Sequence, residues 1–207
     1  MEPSHRKIRR VLGVALLVNL ALAFGKLYAG WRLDSLAVLA DALHSLFGAA
    51  TCLMSLVALF RIALPDPDTV RRRQKFEFLA LLAINGGLLL GCWELFGAAI
   101  QDGRQPLMLP VYSPGGMLFL IAALGVNFAL SRLQRSWADD FKTHLFTTGL
   151  TLLSLYSSRL GWFRCDAIAA TLIVILIVLA ISALVYEQVS RLTDANNETL
   201  PCNKTKS

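Results

Sequence analysis

The sequence predicts an all-α fold: a polytopic membrane protein with six transmembrane helices and both termini in the cytoplasm. Composition is the first observation behind that expectation. Of 207 residues, 56% are hydrophobic and 16% charged, and the mean hydropathy is +0.57; soluble globular domains carry about a quarter charged residues. The second is length, because the apolar residues gather into runs of roughly 20, enough to cross about 30 Å of hydrocarbon as a helix. The third is charge placement. Fifteen Lys and Arg fall in the head, the tail and the connectors on one side, against Arg32, Arg104, Arg159 and Arg164 on the other, and the basic side is expected to face the cytoplasm. The same distribution accounts for the net charge of +6, so no nucleic-acid partner is expected. The organisation is then a basic head (residues 1–10), a transmembrane domain (11–192) and a short polar tail (193–207), in a plasma, inner or organelle membrane.

The first apolar run covers about residues 11–29. A basic start before an apolar run also describes a secretory signal, with Ala21-Leu22-Ala23 as the small-residue triplet, but the run continues to full spanning length. Asn19 and Lys26 are its unusual polar members. A turn near Gly30 leads to a second helix over about 35–60. Residues 61–75 read as a charged connector in which Pro65-Asp66-Pro67-Asp68 stops the helix and Arg71-Arg72-Arg73 marks the cytoplasmic side. The third helix spans about 76–100, with Gly86, Gly87, Gly91 and Gly97 expected to admit close helix contact. The fourth, fifth and sixth cover about 114–133, 138–159 and 166–189. Cys52, Cys92, Cys165 and Cys202 form no CxxC pair and read as small core residues.

Asp41 and His44 lie inside the second run and His144 inside the fifth. Ionisable groups at membrane depth are expensive, and an ion pathway is the usual reason for them. Two helices that each offer an imidazole to a membrane interior suggest a path for a metal ion. Glu94, Asn19, Asn85 and Asn127 read as interhelical hydrogen-bonding groups. Lys26 reads as snorkelling or as paired with a carboxylate that sequence does not identify. No HExxH, GxSxG or paired catalytic carboxylates occur, so neither an enzyme nor an organic cofactor is expected.

Asp34-Ser35-Leu36-Ala37, Ala40-Asp41-Ala42 and His44-Ser45 together resemble the second transmembrane helix of the cation diffusion facilitator (cation efflux) family. Lys75 and Glu77 resemble the basic-x-Glu that opens that family's third helix, His144 resembles the histidine of its fifth, and Asp166 the aspartate that opens its sixth. The resemblance covers about residues 8–192. It implies efflux or compartment loading of a divalent cation, zinc first among them, by alternating access in exchange for protons, and a homodimer. Two departures mark a divergent member. The family takes His or Asp plus Asp four residues later from its second helix and His-x-x-x-Asp from its fifth; the second members here are Gly48 and Thr148. Arg71-Arg72-Arg73-Gln74 replaces a metal-binding loop, and only about fifteen residues follow the sixth helix, so the family's cytoplasmic domain is expected to be missing.

The family register places His44 level with Thr148, and Gly48 level with His144. At about 1.5 Å per residue, Asp41 then lies roughly 4.5 Å outward of His44 and Asp140 roughly 6 Å inward of His144, leaving the carboxylates about 16 Å apart in depth, too far to share an ion. The expected metal set is therefore His44, His144 and Thr148, with Asp41 compensating charge from one turn away. The rival expectation is a transport-incompetent relative that binds metal or regulates an active partner.

Overall fold

The structure is a computed structural model that describes the backbone of residues 3–61, 67–104, 110–134 and 138–198, and the side chains of 8–59, 78–102, 104, 110–130, 132 and 143–190. Its elements are α1 (Pro3–Arg32), α2 (Leu36–Arg61), α3 (Pro67–Arg104), α4 (Pro114–Gln134), α5 (Ala138–Arg159) and α6 (Arg164–Glu198). Their number and order are those expected; α5 has its expected bounds, while α1, α3 and α6 run longer at both ends. Pro67, read as part of a stop, opens α3: at the first helical position a missing N–H is no loss and the fixed φ suits the helix. α6 continues to Glu198 because no Gly or Pro interrupts it. The polar tail beyond Glu198 and the side chains of Arg71, Arg72, Arg73, Lys75, Glu77 and Asp140 lie outside the described residues.

Four helices among the described residues are long and apolar enough to cross a membrane: Ile8–Arg32, Leu36–Leu59, Phe78–Asp102 and Arg164–Ser190; α4 offers the shorter apolar stretch Pro114–Leu130. α5 is not among them, and its composition differs from theirs. Its 22 residues rise about 33 Å at 1.5 Å each, but Thr147, Thr148, Thr151, Ser154, Ser157 and Ser158 form a buried hydroxyl seam along it. Most of these hydroxyls bond back to carbonyls of their own helix, as Thr151 Oγ1 does to Thr147 O (2.9 Å) and Ser157 Oγ to Leu153 O (2.8 Å), so they enter an apolar interior already paired.

α2 is the axis of the bundle. It touches α1, α3, α5 and α6, while α4 joins α1 to α5. Leu36 and Ala40 of α2 pack with Leu88 and Cys92 of α3 and with Ala170, Ile173 and Ile177 of α6 to form the main apolar core. A smaller cluster of Leu33, Val38, Leu120 and Leu155 closes the end near the α1–α2 turn. That turn is tight: Ser35 N donates to Gly30 O (3.1 Å) and Asp34 adopts φ 48°, a left-handed backbone that Asp tolerates better than most residues. Gly30 is needed there, since a Cβ would lie 3.1 Å from the backbone nitrogen of Leu39. The α3 glycines behave otherwise than expected. Gly91 meets Leu43, with a Cβ 3.3 Å from its Cδ1, but Gly86, Gly87 and Gly97 face open space and bring no helix closer among the described residues.

Exposure runs opposite to that of a soluble protein. Trp31, Trp93 and Leu90 are 78%, 72% and 70% exposed, whereas Lys26, Asp41 and Thr148 are fully buried. An apolar exterior around a polar seam suits a lipid surround, in which ionisable groups face the bundle interior.

Candidate metal centre

The site begins at Asp166, in the first turn of α6. The first N–H groups of a helix have no partner within it, and those of α2 find theirs here: Leu36 N and Ala37 N donate to Asp166 Oδ2 at 2.6 and 3.4 Å. Ser35 Oγ and Ser154 Oγ donate to Oδ1 at 2.7 and 2.5 Å. One carboxylate thus caps α2, complements the positive ends of both α2 and α6, and pins α5 to them.

This latch sets the register between α2 and α5. Ser35 stands opposite Ser154 across Asp166. Thr151 Oγ1 reaches Ala37 O at 3.5 Å, and Thr148 Oγ1 donates to Asp41 Oδ2 at 3.2 Å. The rings of His44 and His144 then meet edge to face, with centroids 4.7 Å apart and planes inclined by 65°. The expected pairing of His44 with Thr148 and of Gly48 with His144 is therefore displaced by one helical turn. Two layers result: an imidazole layer of His44 and His144, and an oxygen layer of Asp41 and Thr148 nearer the α1–α2 turn.

α1 completes the oxygen layer, and sequence reasoning left this open. Lys26 Nζ lies 2.8 Å from Asp41 Oδ2, with both side chains fully buried, and 3.1 Å from Ser45 Oγ. Ser45 Oγ itself donates to the Asp41 carbonyl at 3.1 Å. The positions of Lys26 and Asn19 on α1, seven residues apart, signal that they share a face. Asn19 lies beside Gly48: a Cβ at Gly48 would meet Asn19 Oδ1 at 3.6 Å, an ordinary van der Waals contact, so an amide from α1 borders the place where the resemblance implied a carboxylate.

Polar saturation differs across the site. His44 Nδ1 and Nε2, His144 Nδ1, Asp41 Oδ1 and Asn19 Oδ1 are buried without a hydrogen-bond partner. Among the described residues, no group of three or more His, Cys, Asp or Glu side chains is placed to hold one metal ion; Asp41 is turned toward Lys26 and Thr148. The remaining candidates for interhelical bonding divide. Asn19 Nδ2 reaches Cys52 Sγ of α2 at 3.8 Å. Asn85 bonds to Leu81 O of its own helix at 2.9 Å, Asn127 is buried with its amide unpaired, and Glu94 is exposed on α3.

Comparison with known proteins agrees with this architecture. Residues 12–193 match the family model of the cation efflux transmembrane domain. The cation-efflux pump FieF of Salmonella arizonae is 30% identical over 208 residues, covering 91% of this chain and 67% of that protein. The cation-efflux pump FieF of Klebsiella pneumoniae is 30% identical over 213 residues, covering 94% and 69%. With a match across nearly the whole helical bundle and an exterior suited to lipid, the chain is an integral, multi-pass membrane protein that belongs to the cation efflux family of transporters.

Proposed function

We propose that the protein moves a divalent cation, zinc foremost, across its membrane by alternating access in exchange for protons. His44 and His144 supply nitrogen ligands, Thr148 an oxygen, and Asp41 the compensating charge. The observation that carries this reading is the set of unpaired imidazole atoms: His44 Nδ1, His44 Nε2 and His144 Nδ1. Buried polar atoms of folded proteins are almost always hydrogen-bonded, and two adjacent imidazoles held in the bundle interior with free nitrogens are donors that a borderline-soft ion such as zinc accepts. Structural histidines joining two helices would be expected to bond to a hydroxyl or carbonyl instead. The names of the FieF relatives, cation-efflux pumps, point the same way. No covalent step is involved, and the protein acts as a homodimer with both termini in the cytoplasm.

One observation favours a second reading. With no three-ligand group among the described residues, the chain would serve as a weak metal binder that regulates an active partner. Purified protein in liposomes loaded with a zinc-sensitive dye separates the two. Saturable flux that depends on a pH gradient supports transport; flux no greater than that of empty liposomes, with folded protein confirmed, rejects it.

A further inference from the structure

Lys26 is the buried charge that this mechanism does not use. It is fully buried on α1 and bonds to Asp41 at 2.8 Å and to Ser45 at 3.1 Å. Asp41 is the carboxylate one helical turn from His44, and its Oδ2 is shared between the Lys26 ammonium and the Thr148 hydroxyl. Two neutral imidazoles leave a divalent ion's charge uncompensated in a low-dielectric interior. The nearby negative charge is already neutralised by a cation of the chain itself.

We propose that Lys26 is a tethered counter-cation that competes with the transported metal ion for Asp41. This rests on the reading of His44 and His144 as the metal ligands. A metal ion bound at the imidazoles and drawing on Asp41 must displace the ammonium, which otherwise repels it. Between transport events the same pair keeps Asp41 neutralised, so that the carboxylate is never left alone in the bundle. The device also sorts ions by charge. A covalently attached ammonium has a high effective concentration at its carboxylate, so a free monovalent cation gains little by replacing it, whereas a divalent ion that also engages two imidazoles gains both charge and ligands. Lys26 is thus a specificity-determining residue supplied by a helix that carries no ligand of the imidazole layer.

The test is zinc titration by calorimetry of the purified full chain in detergent, at fixed pH and ionic strength, with thermal unfolding followed on the same samples. K26M should bind zinc at least tenfold more tightly than the unaltered chain, K26R should stay within about threefold of it, and K26M/D41N should bind no more tightly than D41N. If K26M is unstable because Asp41 is left unpaired, zinc should raise its unfolding temperature more than that of the unaltered chain; a K26M protein that does not fold even with zinc counts against the proposal. Unchanged or weaker zinc affinity in folded K26M overturns it, as does tightening that persists in the D41N background. Failure of the transport reading looks different: no flux in proteoliposomes with the K26M tightening intact. Flux intact with no tightening overturns the lysine proposal alone, and no zinc binding by any folded variant overturns both.

Discussion

Two buried aspartates of this bundle meet opposite surroundings. Asp166 receives two serine hydroxyls and two backbone amides, so both its oxygens are engaged. Asp41 shares one oxygen between Lys26 and Thr148 and leaves Oδ1 without a partner, beside a helical turn that carries an unpaired His44. The first is a fixed joint that positions three helices. The second is left partly unsatisfied in a setting where that is costly, as the proposed exchange of partners would require. Both side chains are buried; saturation distinguishes them.

Removing the joint should have the largest effect. Asp166→Ala strands four donors, each at about 1–3 kcal/mol, so thermal unfolding in detergent should reveal a loss of roughly 4 kcal/mol or more; a loss below 1 kcal/mol would mean that α2 is held elsewhere. Lys26→Met comes next. Stranding one member of a buried ion pair costs about 3–5 kcal/mol, and adding Asp41→Asn should recover most of it, because the double variant buries no net charge. A double variant as unstable as the single one would show that Lys26 acts through packing.

The imidazole layer should respond in the opposite sense. His44→Leu removes two unpaired nitrogens, so stability should hold or rise by up to about 1 kcal/mol, while zinc affinity falls at least tenfold. Gly48→Asp restores a carboxylate beside neutral ligands, and its Cβ meets Asn19 no closer than 3.6 Å, so zinc binding should tighten about tenfold with little loss of stability. Weaker binding would show that Asn19 blocks this face. The smallest effect is expected at Gly86→Ala, which points into open space and should change monomer stability by under about 0.5 kcal/mol in the same thermal assay.

The class of fold and the residues of the candidate site were legible in the sequence because both follow from local pattern. Apolar runs of spanning length set the helices, and Asp41, His44 and His144 stand out as ionisable groups within them. The register of α2 against α5 was not legible. It depends on hydrogen bonds that Ser35, 131 residues away in sequence, and Ser154 donate to Asp166, and a shift of one turn changes every facing pair while leaving each helix's own pattern intact. The partner of Lys26 was hidden for the same reason, since only the packing of α1 on α2 brings it to Asp41. Glu94, read as an interhelical hydrogen-bonding group, is exposed on α3, and its surroundings were not legible in the sequence either.

The central claim is that the unpaired His44 and His144 form the cation site and not a structural contact. Zinc calorimetry and thermal unfolding of His44→Leu, on one preparation and against the unaltered chain, test it most directly. The account predicts that zinc binding is lost while the unfolding temperature is unchanged or higher. Retained zinc affinity, or a lower unfolding temperature with binding intact, would contradict it.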